Sequence, residues 1–188
     1  MDLILASGSP RRKELLAMAG FAFKVMPADV DESFDPAAAP ADIVAMLANK
    51  KAEHVYNGLK GQDALIVGAD TIVVIDNEIL GKPKDNADAF AMLMKLQGRA
   101  HTVYTGVAVI SACDGKTSAF ASSTQVFMRK LSEAEIKAYI ATGEPMDKAG
   151  AYGIQEKGAL LIEGVEGDYF TVVGLPICRL GLILKEYE

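Results

Sequence analysis

The chain has 188 residues, of which 51% are hydrophobic and 23% charged, so it can bury a core without needing disulfides. Its 25 acidic and 19 basic side chains give a net charge of −6, which disfavours binding of a nucleic acid polymer through many phosphate contacts. A small phosphorylated ligand would need basic side chains gathered at one place.

Cysteine content and hydropathy indicate a cellular location. Cys113 and Cys178 match no metal-ligand spacing, so we expect ordinary thiols in a reducing compartment. The apolar run at residues 3–6 is too short for a signal peptide, and nowhere do 18 apolar residues run together. We therefore expect a cytoplasmic protein that does not enter a membrane.

The order of the predicted elements indicates the fold class. Strands are predicted at residues 2–6, 21–26, 64–75, 78–80, 101–111, 118–128, 160–163 and 169–173. Helices are predicted at residues 11–19, 41–56, 86–96, 132–143 and 175–187, with a loop at 29–40. Strands alternate with helices early and hairpins dominate the middle, which predicts an α/β fold with a mixed central β-sheet flanked by helices.

Local signals fix several boundaries. Ser9 followed by Pro10 predicts a capped helix start, and Gly20 is expected to end that helix. A turn at residues 76–77 predicts a hairpin, and residues 132–135 have the form of a capping box. Asn57 and Gly58 are expected to stop the second helix.

The first polar group lies where the first strand turns into a helix. Ser7, Ser9, Arg12 and two further basic residues accompany Gly8, and a helix start offers unpaired N–H groups that suit phosphate. The alternative is a capped surface helix with solvated basic side chains.

Asp70 and Thr71 interrupt a Val- and Ile-rich strand. Aspartate is disfavoured inside strands, and a carboxylate placed there is often a metal ligand or a base. The alternative is a strand that ends at Gly68, with Asp70 in a turn.

Two further segments carry polar residues outside regular elements. Lys82 and Lys84 follow the predicted hairpin, where they either meet a polyphosphate or are simply solvated. Residues 142–155 form a long loop with three glycines, which is uncommon unless the loop binds something. The Gln155 amide could pair with a base edge, because it both donates and accepts hydrogen bonds.

These segments together resemble the Maf family of nucleotide pyrophosphatases over nearly the whole chain. The matching segments are Leu5-Ala6-Ser7-Gly8-Ser9-Pro10-Arg11-Arg12, Gly68-Ala69-Asp70-Thr71, Gly81-Lys82-Pro83, Thr105-Gly106-Val107, Asp147-Lys148-Ala149-Gly150-Ala151-Tyr152-Gly153-Ile154-Gln155 and Val173-Gly174-Leu175-Pro176. The resemblance implies hydrolysis between the α- and β-phosphates, a single two-lobed domain over residues 1–188 with an active-site cleft, and a homodimer.

The resemblance also implies roles for individual residues. Asp70 falls on the catalytic acidic position, and Arg12, Thr71 and Gln155 fall on positions that separate substrate classes, here with the types expected for the dTTP/UTP subgroup. The remaining matches to polar positions of the family's cleft are Ser7, Glu32, Lys51 and Lys82. Glu156 stands where relatives often carry glycine.

The resulting hypothesis is a divalent-metal hydrolase acting on a nucleoside triphosphate. Asp70 and Glu32 would hold Mg²⁺ or Mn²⁺, and Asp70 would also take a proton from water. The cations Arg12, Lys51, Lys82 and Lys148 would neutralise the phosphate chain, beside backbone donors of Ser7 and Ser9. The alternatives are an inosine-triphosphate-type pyrophosphatase and a nucleotide-binding cell-division regulator without turnover.

Overall fold

The computed structural model describes residues 1–187, which contain seven strands and six α-helices. The strands are β1 (Asp2–Leu5), β2 (Lys24–Val25), β3 (Ala64–Ile75), β4 (Glu78–Leu80), β5 (Ala100–Ser111), β6 (Thr117–Met128) and β7 (Ile162–Glu166). The helices are α1 (Pro10–Met18), α2 (Pro40–Leu59), α3 (Asn86–Leu96), α4 (Glu133–Ile140), α5 (Tyr169–Val173) and α6 (Ile177–Lys185). Three short 3-10 helices lie at Glu144–Asp147, Ala149–Ala151 and Glu156–Leu161.

All seven strands form one sheet of mixed direction, which confirms the predicted fold class. The order is β2-β1-β3-β5-β6-β7, and β4 pairs with β3 outside this path. β1 is parallel to both β2 and β3, whereas β4 is antiparallel to β3 and β7 is antiparallel to β6. Within residues 1–187, no helix is both long and apolar enough to cross a membrane.

The chain divides into two compact units. Unit 1 comprises Met1–Asp70, Thr105–Ser122 and Gly174–Glu188, and unit 2 comprises Thr71–Tyr104 and Ser123–Val173. The chain passes from one unit to the other within β3, within β5, within β6 and just after α5.

The core of unit 1 lies between α2 and the sheet. Ala48 and Ala52 of α2 are fully buried against Ile66 of β3 and Ile110 of β5, in a cluster that also includes Ile4 of β1. The small alanine side chains keep the helix axis close to the strands. Unit 2 has its own apolar core, to which α3 contributes Ala89, Leu93 and Leu96 and α4 contributes Ile136 and Ile140.

Most predicted elements are confirmed, and the hairpin is confirmed to the residue. Asp76 and Asn77 have φ angles of 52° and 61°, the left-handed values that a two-residue hairpin turn requires. Pro10 is the first residue of α1, and Gly20 follows that helix with φ 81°. Ser132 and Glu135 form the predicted capping box at the start of α4.

Two boundary predictions at the start of the chain and along α2 are wrong, and a third, the cap at Ser9, is confirmed in its position but not in its side-chain hydrogen bond. The predicted strand at 21–26 is reduced to Lys24–Val25, since only that stretch pairs with β1. Ser9 occupies the cap position of α1, but its side chain makes no capping hydrogen bond. Neither Asn57 nor Gly58 ends α2, which continues to Leu59 because these residues still fit a helical backbone.

Two strands predicted near the end of the chain differ from the structure: one is a helix, and the other begins later than predicted. Residues 169–173 form α5, although their β-branched and aromatic side chains favour a strand. Asp168 starts a helical turn instead, because its carboxylate accepts a hydrogen bond from the Phe170 N–H (2.9 Å) and its carbonyl accepts one from the Thr171 N–H (3.1 Å). The strand predicted at 160–163 begins later, at Ile162, after a 3-10 helix.

Candidate active site

Lys51 bridges two carboxylates in unit 1. Its ammonium Nζ lies 2.5 Å from Asp70 Oδ1 and 2.7 Å from Glu32 Oε1. Lys51 and Asp70 are both buried, whereas the Glu32 side chain is 58% exposed. The acidic and basic groups that are far apart in sequence therefore meet at one cluster, which we call the Asp70 cluster (Glu32, Lys51 and Asp70).

Two glycines let α2 approach the sheet closely enough to form this cluster. A Cβ at Gly68 of β3 would lie 2.2 Å from the Ala48 carbonyl oxygen, and one at Gly106 of β5 would lie 2.1 Å from that of Val44. Gly68 and Asp70 share one face of β3, because alternate strand residues point the same way. Asp70 thus faces α2, where Lys51 lies one turn beyond Ala48.

Arg12 of α1 is held in a second buried group of unit 1. Its Nε donates to the carbonyl of Gly174 (2.8 Å), and an Nη donates to the Ser7 hydroxyl (3.0 Å). The Ser9 N–H also donates to the Ser7 hydroxyl (3.3 Å). Burial lowers the pKa of Arg12, and the charges of Asp70 and Glu32 oppose this effect. The guanidinium remains charged, because an arginine does not lose its proton in proteins.

Parallel pairing places Ser7 at the same end of the sheet as Asp70. Leu5 of β1 is in register with Val67 of β3, and the Ala6 N–H donates to the Val67 carbonyl. Both strands run on in the same direction, so Ser7 and Asp70 leave the paired region at one edge. Open α/β sheets bind ligands at such carboxyl ends.

The chemistry of the Asp70 cluster fits a divalent cation. Two carboxylate oxygens already converge on one positively charged atom, and hard cations such as Mg²⁺ and Mn²⁺ prefer oxygen ligands. Residues 1–187 contain no group of three or more His, Cys, Asp or Glu side chains placed to hold a metal. Two carboxylates suffice for Mg²⁺ when substrate phosphates and water supply the other ligands.

The remaining predicted site residues belong to unit 2. Lys148 Nζ donates to the Glu144 carbonyl (2.7 Å) and to Asp147 Oδ1 (2.8 Å). Gln155 is half-buried in the segment between two 3-10 helices. An open pocket of about 790 Å³ lies beside this segment, and Lys148, Glu156 and Lys157 contribute to its lining.

Thr71 and Lys82 lie on the β3–β4 side of unit 2. Thr71 directly follows Asp70 in β3 and is partly buried. Lys82 is exposed just after β4, and the Gly150 N–H donates to the carbonyl of neighbouring Gly81 (3.0 Å). The turn carrying Lys82 is thereby tied to the loop before Gln155.

Comparison with known proteins identifies the family. Residues 2–187 match a protein family that is described as Maf-like protein. The chain belongs to the Maf family. A Maf relative from Moorella thermoacetica, named dTTP/UTP pyrophosphatase, is 53% identical over 182 residues, covering 97% of this chain and 93% of the relative. One from Pelotomaculum thermopropionicum with the same name is 49% identical over 186 residues, covering 99% and 96%.

A solved structure shows that the fold extends to more distant proteins. The structure of a HAM1 protein from Coxiella burnetii matches with a TM-score of 0.56 and 13% sequence identity, covering 99% of each chain. At this identity the match concerns the fold alone.

The structure brings together some of the site residues predicted for a Maf protein. Unit 1 unites Glu32, Lys51 and Asp70, and links Ser7 and Ser9 to Arg12. Thr71, Lys82, Lys148 and Gln155 lie in unit 2, and their roles stay predictions. Sequence reasoning missed the Gly174 carbonyl that holds Arg12, although the glycine itself was part of the family motif. It also missed Glu144, because nothing in the sequence indicates that this residue contacts backbone amides 13 and 14 positions away.

Proposed function

We propose that this Maf-family chain hydrolyses dTTP and UTP to the nucleoside monophosphate and diphosphate. The observation that carries the proposal is a buried strand carboxylate, Asp70, in contact with a buried lysine and a second carboxylate. The names of relatives about half identical over almost their full length support the substrate choice.

Asp70 is the proton acceptor in this proposal. A water that attacks the α-phosphorus must lose a proton, and a carboxylate within hydrogen-bond reach of that water can accept it. Arg12 and Lys51 supply positive charge in unit 1, and they stabilise the negative charge that develops on the leaving diphosphate. Amides near Ser7 and Ser9, at the start of α1, add uncharged donors. Lys82 and Lys148 are the further cations that we assign to the phosphate chain.

Asp70 and Glu32 would hold a divalent cation, Mg²⁺ or Mn²⁺, by their carboxylate oxygens. When bound, the cation supplies charge that withdraws electron density from the phosphate oxygens. Lys51 occupies the place between the same two carboxylates, so its ammonium would turn from them towards the phosphate chain. Its four-carbon side chain allows this movement.

Thr71 and Gln155 are the residues that we assign to base recognition. A site built to hydrogen-bond a substrate group rejects analogues that lack it, because the polar group of the protein is then left unpaired. An amide such as that of Gln155 both donates and accepts, as the imide edge of thymine or uracil requires. The homodimer stays a prediction from the family resemblance, and the cytoplasmic location stays a prediction from cysteine content and hydropathy.

Diphosphate release in the presence of Mg²⁺ tests the proposal. The wild-type protein should hydrolyse dTTP and UTP faster than GTP, ITP and XTP. Asp70→Asn should lose about 10²- to 10⁴-fold in kcat, because it removes the base. Asp42→Asn changes an exposed carboxylate on α2 and serves as the matched control.

Other outcomes would indicate a different function for this chain. Preference for ITP and XTP would identify the inosine-triphosphate type, and nucleotide binding without diphosphate release would identify a regulator. A folded Asp70→Asn variant with half the wild-type rate would remove Asp70 from the role of base.

A further inference from the structure

Glu144 lies at the centre of a hydrogen-bond network around Gln155. We call residues 153–158 the Gln155 loop. It follows the 3-10 helix Ala149–Ala151 and includes the first three residues of the next 3-10 helix, Glu156–Leu161. Glu144 begins the preceding 3-10 helix, and eight residues of chain (145–152) separate it from the loop. Its carboxylate nevertheless contacts the loop directly.

The Glu144 carboxylate holds the later end of the loop. Its Oε1 accepts a hydrogen bond from the Gly158 N–H (3.0 Å), and its Oε2 accepts one from the Lys157 N–H (3.3 Å). Hydrogen bonds between backbone amides and a charged carboxylate are stronger than those between neutral groups. The two residues that follow Glu156 are therefore anchored to a single side chain.

Tyr139 of α4 extends this network to the earlier end of the loop. Its hydroxyl donates to Glu144 Oε1 (3.0 Å) and accepts from the Gly153 N–H (3.1 Å). Burial raises the pKa of the Tyr139 phenol, and the neighbouring Glu144 raises it further, so the phenol keeps its proton and can donate it. Gln155 thus lies between two ends that Glu144 and Tyr139 hold together.

The loop backbone is strained and closely packed, so it needs such anchors. Glu156 has φ 54°, a left-handed conformation that is unfavourable for a residue with a side chain. A Cβ at Gly158 would lie 2.0 Å from the Gly153 carbonyl oxygen, so the two ends of the loop touch backbone to backbone. The two residues that follow Glu156 donate hydrogen bonds to the Glu144 carboxylate, and these bonds offset the strain.

We propose that Glu144 and Tyr139 are positioning residues that set the base selectivity of the enzyme by fixing the backbone on which Gln155 stands. The inference rests on the proposed function, in which Gln155 reads the base. Neither Glu144 nor Tyr139 needs to touch the substrate for this role.

Glu144→Gln tests the role with little change of shape. The amide replaces one acceptor oxygen by an NH₂ group, which cannot accept from a backbone N–H. Losing a hydrogen bond to a charged group typically costs about 1.5–3 kcal/mol, or roughly tenfold or more in an equilibrium. We expect kcat/KM for dTTP and UTP to fall about tenfold through KM, with kcat within about twofold of wild type. Purine triphosphate rates should change little, so the selectivity ratio falls.

Three further variants separate positioning from general damage. Tyr139→Phe removes only the hydroxyl and should lower the same ratio, which keeps the test valid if Glu144→Gln folds poorly. Glu133→Gln on α4 removes an exposed carboxylate paired with Lys137 and should leave the ratio unchanged. Adding Glu156→Gly to Glu144→Gln should restore part of the ratio, because glycine adopts φ 54° without strain.

Amide hydrogen exchange at Gly153, Lys157 and Gly158 follows the loop without reference to activity. Protection at these amides should fall in Glu144→Gln and stay normal in Glu133→Gln. If protection falls while the selectivity ratio is unchanged, the positioning proposal is wrong. The same conclusion follows if protection is unaffected, or if Glu156→Gly restores nothing. A wild-type protein that releases no diphosphate refutes the proposed function instead, whatever the exchange shows.

Discussion

Replacing Gly68 by alanine would test whether the close packing of α2 on β3 forms the Asp70 cluster. The added Cβ would lie 2.2 Å from the Ala48 carbonyl oxygen and 2.8 Å from the Ala52 nitrogen. Ordinary contact begins at 3.4 Å, so helix and strand must separate by about 1.2 Å. Lys51 follows Ala48 by one turn of the same helix, so its ammonium would move away from Asp70 by a similar amount.

This displacement should affect both stability and rate. Overpacking a core typically costs about 1–3 kcal/mol in the free energy of unfolding. A misplacement of about 1 Å near reacting groups can cost roughly 100-fold in rate. We therefore expect Gly68→Ala to remain folded at low temperature but to lose most of its kcat for dTTP.

Urea unfolding followed by circular dichroism, together with diphosphate release, measures the two effects. Gly58→Ala is the matched control, because Gly58 lies near the end of α2 with nothing within 4 Å of its added Cβ. That variant should keep its kcat and gain about 0.5–1 kcal/mol, since alanine favours helix more than glycine does.

Two results would refute this reasoning. If Gly68→Ala kept the wild-type midpoint in urea, the helix would not be packed against the strand backbone as described. If it lost stability but kept the wild-type kcat, the separation of Lys51 from Asp70 would be irrelevant to catalysis.

Two pH predictions follow from groups outside the Asp70 cluster. Burial lowers the pKa of His101 to about 4, below its ordinary 6.5, so the unfolded chain binds a proton first and stability is lost as pH falls from about 6.5 to 4. His101→Gln should lose less stability across that window in urea titrations, and an equal loss would contradict the assignment. Hydrogen bonds from Ser132 and Arg129 lower the pKa of Glu135 to about 2, so its stabilising effect is complete above about pH 4.5 and is lost as pH falls to 2. Glu135→Gln should be less stable than wild type at pH 7 and should match it near pH 2, as thermal melts at both pH values would show.

Local sequence signals predicted the elements well where one interaction dominates. The turn at Asp76 and Asn77 is such a case, because two left-handed residues between apolar runs leave few alternatives. Residues 169–173 are the opposite case. Their β-branched side chains favour a strand, but the Phe170 and Thr171 N–H groups donate hydrogen bonds to Asp168 and begin a helical turn, which the weak strand propensity does not prevent.

The candidate site was predictable only in part, for a similar reason. Asp70 stands out because a carboxylate interrupts a Val- and Ile-rich strand. Lys51 and Glu32 do not, since a lysine on a helix and a glutamate in an acidic loop are ordinary residues, and only the family resemblance indicated them. Their meeting depends on how closely α2 packs against β3, which depends on Gly68 and Gly106. No local sequence pattern encodes contacts between residues so far apart along the chain.

The same packing argues that the Asp70 cluster serves function more than stability. Removing two charges from water costs several kcal/mol per ion, and apolar residues of similar volume often serve a core as well or better. Asp70 and Lys51 are both buried, yet the surrounding core of unit 1 consists of Ala, Ile and Val side chains that would accommodate apolar residues. Glycines that destabilise strand interiors bring the two charges together. A buried carboxylate on β3 beside a buried ammonium on α2 is therefore what we expect of a pair that acts on a ligand, in keeping with the proposed function.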